Sequence, residues 1–153
     1  MRLFLLRHAD ADTLAATDAQ RPLSDLGRRQ AESVAQALKN HASRPKLILT
    51  SPTVRTMQTA ETVASHLSAQ VIPCEWARPG MPPEEALLEI APYAGFKEVM
   101  LVGHQPDLAL LAARLIGLPQ PTRIQVRKAT LLLFTFTSPA NAILEALIPC
   151  NTH

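Results

Sequence analysis

The chain has none of the features that would point to a membrane protein or a disulfide-bonded scaffold. No apolar run approaches the ~20 residues of a bilayer-spanning helix, and the opening run Leu3–Leu6 is too short for the core of a signal peptide. The two cysteines, Cys74 and Cys150, match no metal-site spacing and are too few for a disulfide framework. We therefore expect a cytoplasmic protein that does not enter a membrane and whose cysteines are structural.

Clustered basic residues and aromatic side chains are also scarce. The net charge is only +2, no block of lysine and arginine occurs, and aromatic residues make up 4% of the chain. A nucleic-acid-binding domain usually shows a basic stripe with aromatic or helical readout elements, so we expect no nucleic-acid partner. The sequence does have 153 residues, 47% of them hydrophobic, which is enough for one domain with its own core. We treat residues 1–153 as a single domain.

Short apolar segments alternate with amphipathic ones along the chain. Strands are predicted at residues 2–7, 46–50, 71–72, 98–102, 131–137 and 143–148, and helices at 25–39, from 51–52 onward, at 84–90 and between 106 and 117. The second helix is expected to start at Ser51-Pro52, because serine caps helices and proline suits the first helical position. Residues 138–141 are predicted to form a hairpin turn. The pattern predicts an α/β fold, a three-layer α/β/α sandwich with a mostly parallel central sheet and an antiparallel C-terminal hairpin.

Three of the predicted strands lead directly into side chains that bind anions. These are Arg7 and His8 after the first strand, Arg55 in the opening turn of the second helix, and His104 after the fourth strand. Ligands of open α/β sheets bind in the crevice outside the carboxyl ends of the strands. If these strands are parallel neighbours, two arginines and two histidines converge on one pocket. Guanidinium groups and a helix amino end favour a dianionic phosphoryl group there.

A metal site is the competing interpretation of the first junction. Asp10 and Asp12 follow His8 closely, and histidine and carboxylate side chains are common metal ligands. The adjacent Arg7 opposes a bound cation, so we expect neither a metal ion nor another cofactor.

Together, the three junctions resemble the ordered motifs of the histidine phosphatase (phosphoglycerate mutase-like) superfamily. The matching segments are Leu6-Arg7-His8-Ala9, Ser51-Pro52-Thr53-Val54-Arg55-Thr56-Met57-Gln58-Thr59-Ala60 and Val102-Gly103-His104-Gln105-Pro106. The resemblance covers most of the chain and implies a phosphoglycerate mutase-like fold. The short length, the Asp-Ala pair after the Arg-His motif and the loop Thr17-Asp18-Ala19-Gln20-Arg21-Pro22-Leu23 are similar to the small bacterial phosphohistidine phosphatase branch, the SixA type.

This resemblance implies a role for each matching residue. His8 would be the nucleophile that accepts the phosphoryl group, Arg7 and Arg55 would clamp its oxygens, His104 would donate a further hydrogen bond, and Arg21 would reach the same phosphate from its loop. Neutral imidazole is a competent nucleophile near neutral pH.

The implied activity is metal-independent hydrolysis of phosphohistidine on the phosphotransfer domain of a bacterial phosphorelay protein, through a covalent intermediate on His8. Phosphate or another oxyanion would occupy the pocket. Two alternatives remain: a small-metabolite phosphomonoesterase or mutase of the same superfamily, and a non-catalytic module that recognises phosphate.

The sequence leaves the general acid undecided. Larger family members carry an insertion after the second helix that brings a carboxylic acid over the pocket, whereas the corresponding stretch 68–97 is short. Asp10 and Asp18 are candidates because they are near the first motif, and Glu84 and Glu85 because of their order along the chain. Phosphohistidine needs such an acid less than a phosphate ester does, because the leaving imidazole can depart neutral once its other nitrogen is protonated. A short lid also leaves room for a phosphorylated side chain on a protein surface.

Overall fold

A six-stranded mixed sheet lies at the centre of the protein. The computed structural model describes residues 1–138 and 141–152. The strands are β1 (Arg2–Arg7), β2 (Leu47–Thr50), β3 (Gln70–Pro73), β4 (Glu98–Gly103), β5 (Leu131–Ser138) and β6 (Asn141–Ile148). Their order across the sheet is β3-β2-β4-β1-β5-β6. Strands β1 to β4 pair in parallel, whereas β5 runs antiparallel to β1 and β6 antiparallel to β5. Pro139 and Ala140 of the predicted hairpin turn lie outside the described residues.

Four helices flank this sheet within the described ranges, two on each face. They are α1 (Asp25–Asn40), α2 (Val54–Leu67), α3 (Pro83–Ile90) and α4 (Asp107–Ile116). Successive side chains of a strand point to opposite faces, so β1 contributes to two cores. Leu3 and Leu5 pack with buried residues of α3 and α4, whereas Phe4 and Leu6 pack with those of α1 and α2. The predicted three-layer α/β/α sandwich is confirmed.

The start of the second helix differs from the prediction. Helix α2 begins at Val54 and has Thr53 at its N-cap, two residues after the predicted Ser51 cap and Pro52 start. The backbone N–H of Ser51 donates to the carbonyl of Val102 at 3.1 Å, which extends the β2–β4 pairing past the end of β2. The Ser51 carbonyl accepts a hydrogen bond from the Thr56 hydroxyl at 2.7 Å. The prediction is therefore wrong here, because Ser51 is held by the sheet and cannot cap the helix.

The sheet order brings the three motif junctions to one edge. Strands β2, β4 and β1 are parallel neighbours, so their carboxyl ends lie side by side. Strand β5 runs the opposite way, so the residues that precede it reach the same edge. In the part of the chain that the structure describes, no helix is both long enough and apolar enough to span a bilayer.

Candidate active site

Arg7, His8, Arg55 and His104 line one pocket at the carboxyl edge of the parallel strands. The pocket has a volume of about 270 Å³. Five further residues complete its wall: Asp18, Arg21, Pro79, Gln105 and Lys128. Arg21 was among the sequence-predicted site residues, so the structure brings all five of these predicted residues together.

His8 is held so that one ring nitrogen is available to the pocket. Its backbone N–H donates to the Gly103 carbonyl at 3.1 Å, which continues the β1–β4 ladder by one residue. Its Nδ1 lies 2.8 Å from the Ala9 carbonyl oxygen. A carbonyl can only accept a hydrogen bond, so Nδ1 carries the proton and Nε2 keeps its lone pair. Burial lowers the pKa of His8 to about 3, and the charge of Arg55 adds to this, against the raising effect of the Ala9 hydrogen bond. His8 is therefore neutral at neutral pH.

His104 lies beside His8, with the two ring centres 5.5 Å apart. Its Nδ1 is 3.4 Å from Nη2 of Arg55, and its Nε2 is 2.8 Å from Oγ of Ser51. A guanidinium can only donate, so Nδ1 accepts and the proton of the neutral ring is on Nε2. Burial and the charge of Arg55 lower the pKa of His104 to about 4. To donate a hydrogen bond to an anion in the pocket, His104 has to gain a proton at Nδ1, which a bound dianion would favour.

The two arginines are anchored at one end and still have unused donors. Arg7 donates from Nη1 to the Val126 carbonyl at 3.0 Å, and Arg55, which is 5% exposed, donates from Nη1 to the Asp18 carbonyl at 2.8 Å. Among the described residues, neither Nε atom has a hydrogen-bond acceptor although both are buried. Both side chains line the pocket, and a guanidinium has five N–H donors, so each arginine keeps donors for an anion bound there.

Asp18 brings the loop before α1 into the pocket. Its Oδ2 accepts a hydrogen bond from Nη2 of Arg55 at 3.0 Å, and its Oδ1 accepts one from Nη1 of Arg21, also at 3.0 Å. The hydrogen bond from Arg21 lowers the pKa of Asp18; desolvation opposes this, but the charge of Arg55 and its hydrogen bond also lower the pKa, so the net shift is downward. Asp18 is therefore a carboxylate at neutral pH, suited to accepting protons or hydrogen bonds and poorly suited to donating a proton.

The other three candidate acids do not line the pocket. Glu84 is an exposed residue of α3 that pairs with Arg114, and Glu85 is exposed on the same helix. Asp10 lies close by, but its carboxylate is engaged by Lys128 at 2.7 Å. The described residues contain no group of three or more histidine, cysteine or acidic side chains that could hold a metal ion, so Asp10 and Asp12 do not complete such a site with His8.

Lys128 is the pocket cation that the motifs did not indicate. It lies just before β5, whose antiparallel pairing with β1 brings this segment next to Arg7 and His8. Only the direction of β5 would have revealed it, because a strand antiparallel to β1 starts at the edge where β1 ends.

The fold and the pocket together define an α/β protein with a cationic pocket built around a neutral histidine at the carboxyl edge of its parallel strands. A family model described as "Histidine phosphatase superfamily (branch 1)" matches residues 3–76. The phosphohistidine phosphatase SixA of Escherichia coli is 29% identical, over 99% of this chain and 96% of that protein. A SixA homologue of Haemophilus influenzae is 30% identical, over 79% of this chain and 80% of its own length.

A solved structure of a SixA protein histidine phosphatase complexed with tungstate has the same fold. It superposes with a TM-score of 0.89 at 24% identity, covering 97% of this chain and 96% of that one. The chain belongs to the histidine phosphatase superfamily and, within it, to the SixA-like group. It is thus a phosphatase of that superfamily with the phosphoglycerate mutase-like fold.

Proposed function

We propose that the protein is a protein phosphohistidine phosphatase that acts through a covalent phosphoryl intermediate on His8. One observation carries this proposal: the pocket pairs a neutral nucleophile with no carboxylic acid able to protonate a leaving group. Asp18 is the one carboxylate among the lining residues, and the arginines keep it ionised. An alcohol leaves poorly without a proton, whereas an imidazole that is protonated on its other nitrogen leaves as a neutral molecule.

The first step would transfer the phosphoryl group to the enzyme. The lone pair on Nε2 of His8 forms a bond to phosphorus while the phosphorus–nitrogen bond of the substrate breaks, and that electron pair stays on the departing imidazole. The hydrogen bond from Nδ1 to the Ala9 carbonyl keeps Nε2 aimed at the pocket. Arg7 and Arg55 stabilise the charge on the equatorial oxygens of a loose transition state.

In the second step, water would attack the phosphorylated His8. An oxygen–phosphorus bond forms, the phosphorus–Nε2 bond breaks, and its electron pair returns to the ring as the lone pair. Both hydrogens of the water remain on the inorganic phosphate that is released. This sequence needs no metal ion and returns His8 to its neutral state.

A protein substrate is favoured by the surface next to the pocket. A groove of about 640 Å³ shares Arg7 and Gln105 with the site and runs along the start of α4, past Leu110 and Ile124. This groove could receive the polypeptide that carries a phosphohistidine, while its phosphoryl group enters the pocket. The domain that presents it would be a phosphotransfer domain of a bacterial phosphorelay. Phosphohistidine as the hydrolysed group agrees with the name of the E. coli relative, a phosphohistidine phosphatase.

The substrate proposal is tested by comparing two values of kcat/KM. One is for a phosphotransfer domain that carries phosphohistidine, and the other is for a panel of sugar phosphates. We expect the phosphorylated domain to be hydrolysed faster. Faster turnover of any metabolite would replace our proposal with a phosphomonoesterase or mutase. Chelation with EDTA should leave the rate unchanged, and a loss that a divalent metal restores would contradict the mechanism.

The covalent step is tested by trapping the intermediate. Acid-labile label from a phosphorylated phosphotransfer domain should appear on the wild-type protein and on His41→Ala, because His41 is an exposed residue at the end of α1. It should be absent from His8→Ala. A protein that binds the phosphorylated domain without releasing phosphate would be a recognition module, and phosphatase activity in His8→Ala would exclude His8 as the nucleophile.

A further inference from the structure

Lys128 is fixed at the pocket by unusual backbone geometry. The next residue, Ala129, has a left-handed φ of 56°, which is uncommon for a residue other than glycine. Its N–H is shared between the carbonyls of Arg7 at 3.1 Å and His8 at 3.2 Å. Such backbone geometry persists only where the surroundings hold it, and here the contacts that hold it come from the two residues that begin the site. The position of Lys128 is thus tied to the position of His8.

The Lys128 ammonium group has donors to spare. Its Nζ lies 2.7 Å from Oδ1 of Asp10, and its side chain is 39% exposed. An ammonium group has three N–H donors, and the structure shows one of them in use. The flexible four-carbon stem allows Nζ to turn toward the pocket that the residue already lines.

Asp10 is held in place from the opposite side. Its Oδ2 accepts a hydrogen bond from the hydroxyl of Ser24 at 2.6 Å, and its backbone N–H donates to Oε1 of Gln30 at 2.8 Å. Burial acts to raise the pKa of Asp10, but hydrogen bonds from Lys128 and Ser24 outweigh it and lower the pKa. Asp10 is therefore an anion at neutral pH, with a partner besides Lys128.

The cations that line the pocket, Lys128 among them, outnumber the carboxylates that pair with them. The lining cations are Arg7, Arg21, Arg55 and Lys128. Two carboxylates, Asp18 and Asp10, pair with them, while both site histidines are neutral. Two positive charges remain uncompensated, which equals the charge of a phosphoryl dianion.

We propose that Lys128 is a phosphoryl-binding residue, which turns from Asp10 to donate a hydrogen bond to an oxygen of the group bound at His8. Asp10 holds the ammonium while the pocket is free and competes with the ligand for it. This inference depends on the proposed function only in that an oxyanion binds beside His8.

The test measures the affinity of the full-length protein for inorganic phosphate and for tungstate by titration calorimetry at fixed ionic strength. Lys128→Met should weaken binding about tenfold, the effect of losing one charge-assisted hydrogen bond. Lys128→Arg should stay within about threefold of wild type. Lys97→Met is the matched control, because Lys97 is exposed, precedes β4 at the opposite edge of the sheet, and loses the same charge. It should bind like wild type.

Asp10→Asn separates a binding role from a structural one. It breaks the same ion pair but leaves the ammonium in place, so binding should be up to about fivefold tighter because a competing carboxylate is gone. If Asp10→Asn weakens binding as much as Lys128→Met does, the ion pair serves only the structure and the proposal is wrong. Unchanged binding in Lys128→Met, or no binding of either anion by wild type, would also overturn it.

A replacement variant guards against unfolding of Lys128→Met, and a turnover assay separates anion binding from catalysis. Lys128→Gln retains most of the stem and a donor for Asp10, so it replaces Lys128→Met if that variant unfolds, and it should also weaken binding severalfold. Oxyanion binding does not depend on phosphohistidine turnover. A wild-type protein that binds phosphate through Lys128 but hydrolyses no phosphohistidine would thus refute the proposed function and leave the Lys128 assignment standing.

Discussion

The pocket has two sides that differ in burial and in how they are held. The strand-end group consists of Arg7, His8, Arg55 and His104, and its two histidines and Arg55 are at most 6% exposed. The loop-side group consists of Asp18, Arg21 and Lys128. The side chain of Asp18 is 64% exposed, and that of Lys128 is 39% exposed. The first group is fixed by the sheet and its helices, whereas the second is held by ion pairs.

This difference suggests separate roles for the two groups, phosphoryl transfer for the strand-end group and electrostatic binding of the ligand for the loop-side group. In the strand-end group, burial keeps the histidines neutral, so the proposed nucleophile, His8, has a free lone pair before a substrate arrives. In the loop-side group, each charge already has a partner of opposite sign, which an incoming anion can replace. We infer that the strand-end group sets the rate of phosphoryl transfer and that the loop-side group tunes affinity.

The largest expected effect comes from removing a strand-end arginine. Arg55→Ala should lower kcat/KM by about 10²–10³-fold, by analogy with the loss of a preorganised oxyanion donor. Arg21→Ala, on the loop side, should lower it by no more than about tenfold. Steady-state kinetics on a phosphorylated phosphotransfer domain measures both. Equal losses in the two variants would abolish the distinction between the two sides.

The close contact between Gly27 of α1 and the backbone of Asp10 should contribute to the free energy of unfolding. A Cβ added at Gly27 in α1 would lie 1.9 Å from the Asp10 carbonyl oxygen, whereas one added at Gly95 would meet nothing within 4 Å. Gly27→Ala should therefore lower the free energy of unfolding by about 1–3 kcal/mol, as overpacking does, and Gly95→Ala should leave it nearly unchanged. Urea denaturation provides the measurement. Similar values for both variants would show that the loop gives way without cost.

The neutral histidines predict a pH dependence of stability. Unfolded histidines gain protons as the pH falls below about 6.5, while His8 and His104 stay neutral until about 3 and about 4. The unfolded state then binds more protons, so the free energy of unfolding should decline between pH 6.5 and 4, by up to about 1.4 kcal/mol per pH unit for each histidine. His8→Asn should make the decline shallower. Parallel curves for wild type and His8→Asn would contradict the neutral state of His8.

The smallest expected effect concerns the carboxylate that shares Arg55 with the ligand. Asp18→Asn removes a competing anion, so inorganic phosphate should inhibit severalfold more tightly, within the range of about 1 kcal/mol of an exposed ion pair. Asp25→Asn breaks another exposed pair, with Arg28, and should change nothing. Product inhibition constants measure both. Weaker inhibition in Asp18→Asn would mean that Asp18 orients the arginines more than it competes for them.

Sequence reasoning reached the strand-end group because its signals are local. An apolar strand that ends in Arg7-His8, and a turn that carries His104, can be recognised within a few residues. The parallel order of the strands then brings these residues to the same edge of the sheet. Hydrophobic periodicity also gave the layers of the fold. The predicted start of α2 failed because Ser51 is engaged by a distant strand and by His104, which no local capping rule takes into account.

The loop-side group depends on contacts between distant segments. Asp18 reaches Arg55 across 37 positions, and Lys128 reaches Asp10 across 118. Four candidate acids looked equivalent in the sequence because exposure and pairing decide between them. Only the folded chain shows that Asp18 faces the pocket, that Glu84 and Glu85 do not, and that Lys128 does.

The position of β1 in the middle of the sheet has a consequence for how the protein is made. Arg7 and His8 are synthesised before the other residues of the site, but β1 pairs with β4 on one side and with β5 on the other. The hydrogen bonds that fix their backbone come from Gly103, Ala129 and Thr130. The part of the site that is synthesised first therefore depends on segments that are made much later, and a nascent chain that ends before Ala129 lacks hydrogen bonds that fix the backbone of Arg7 and His8.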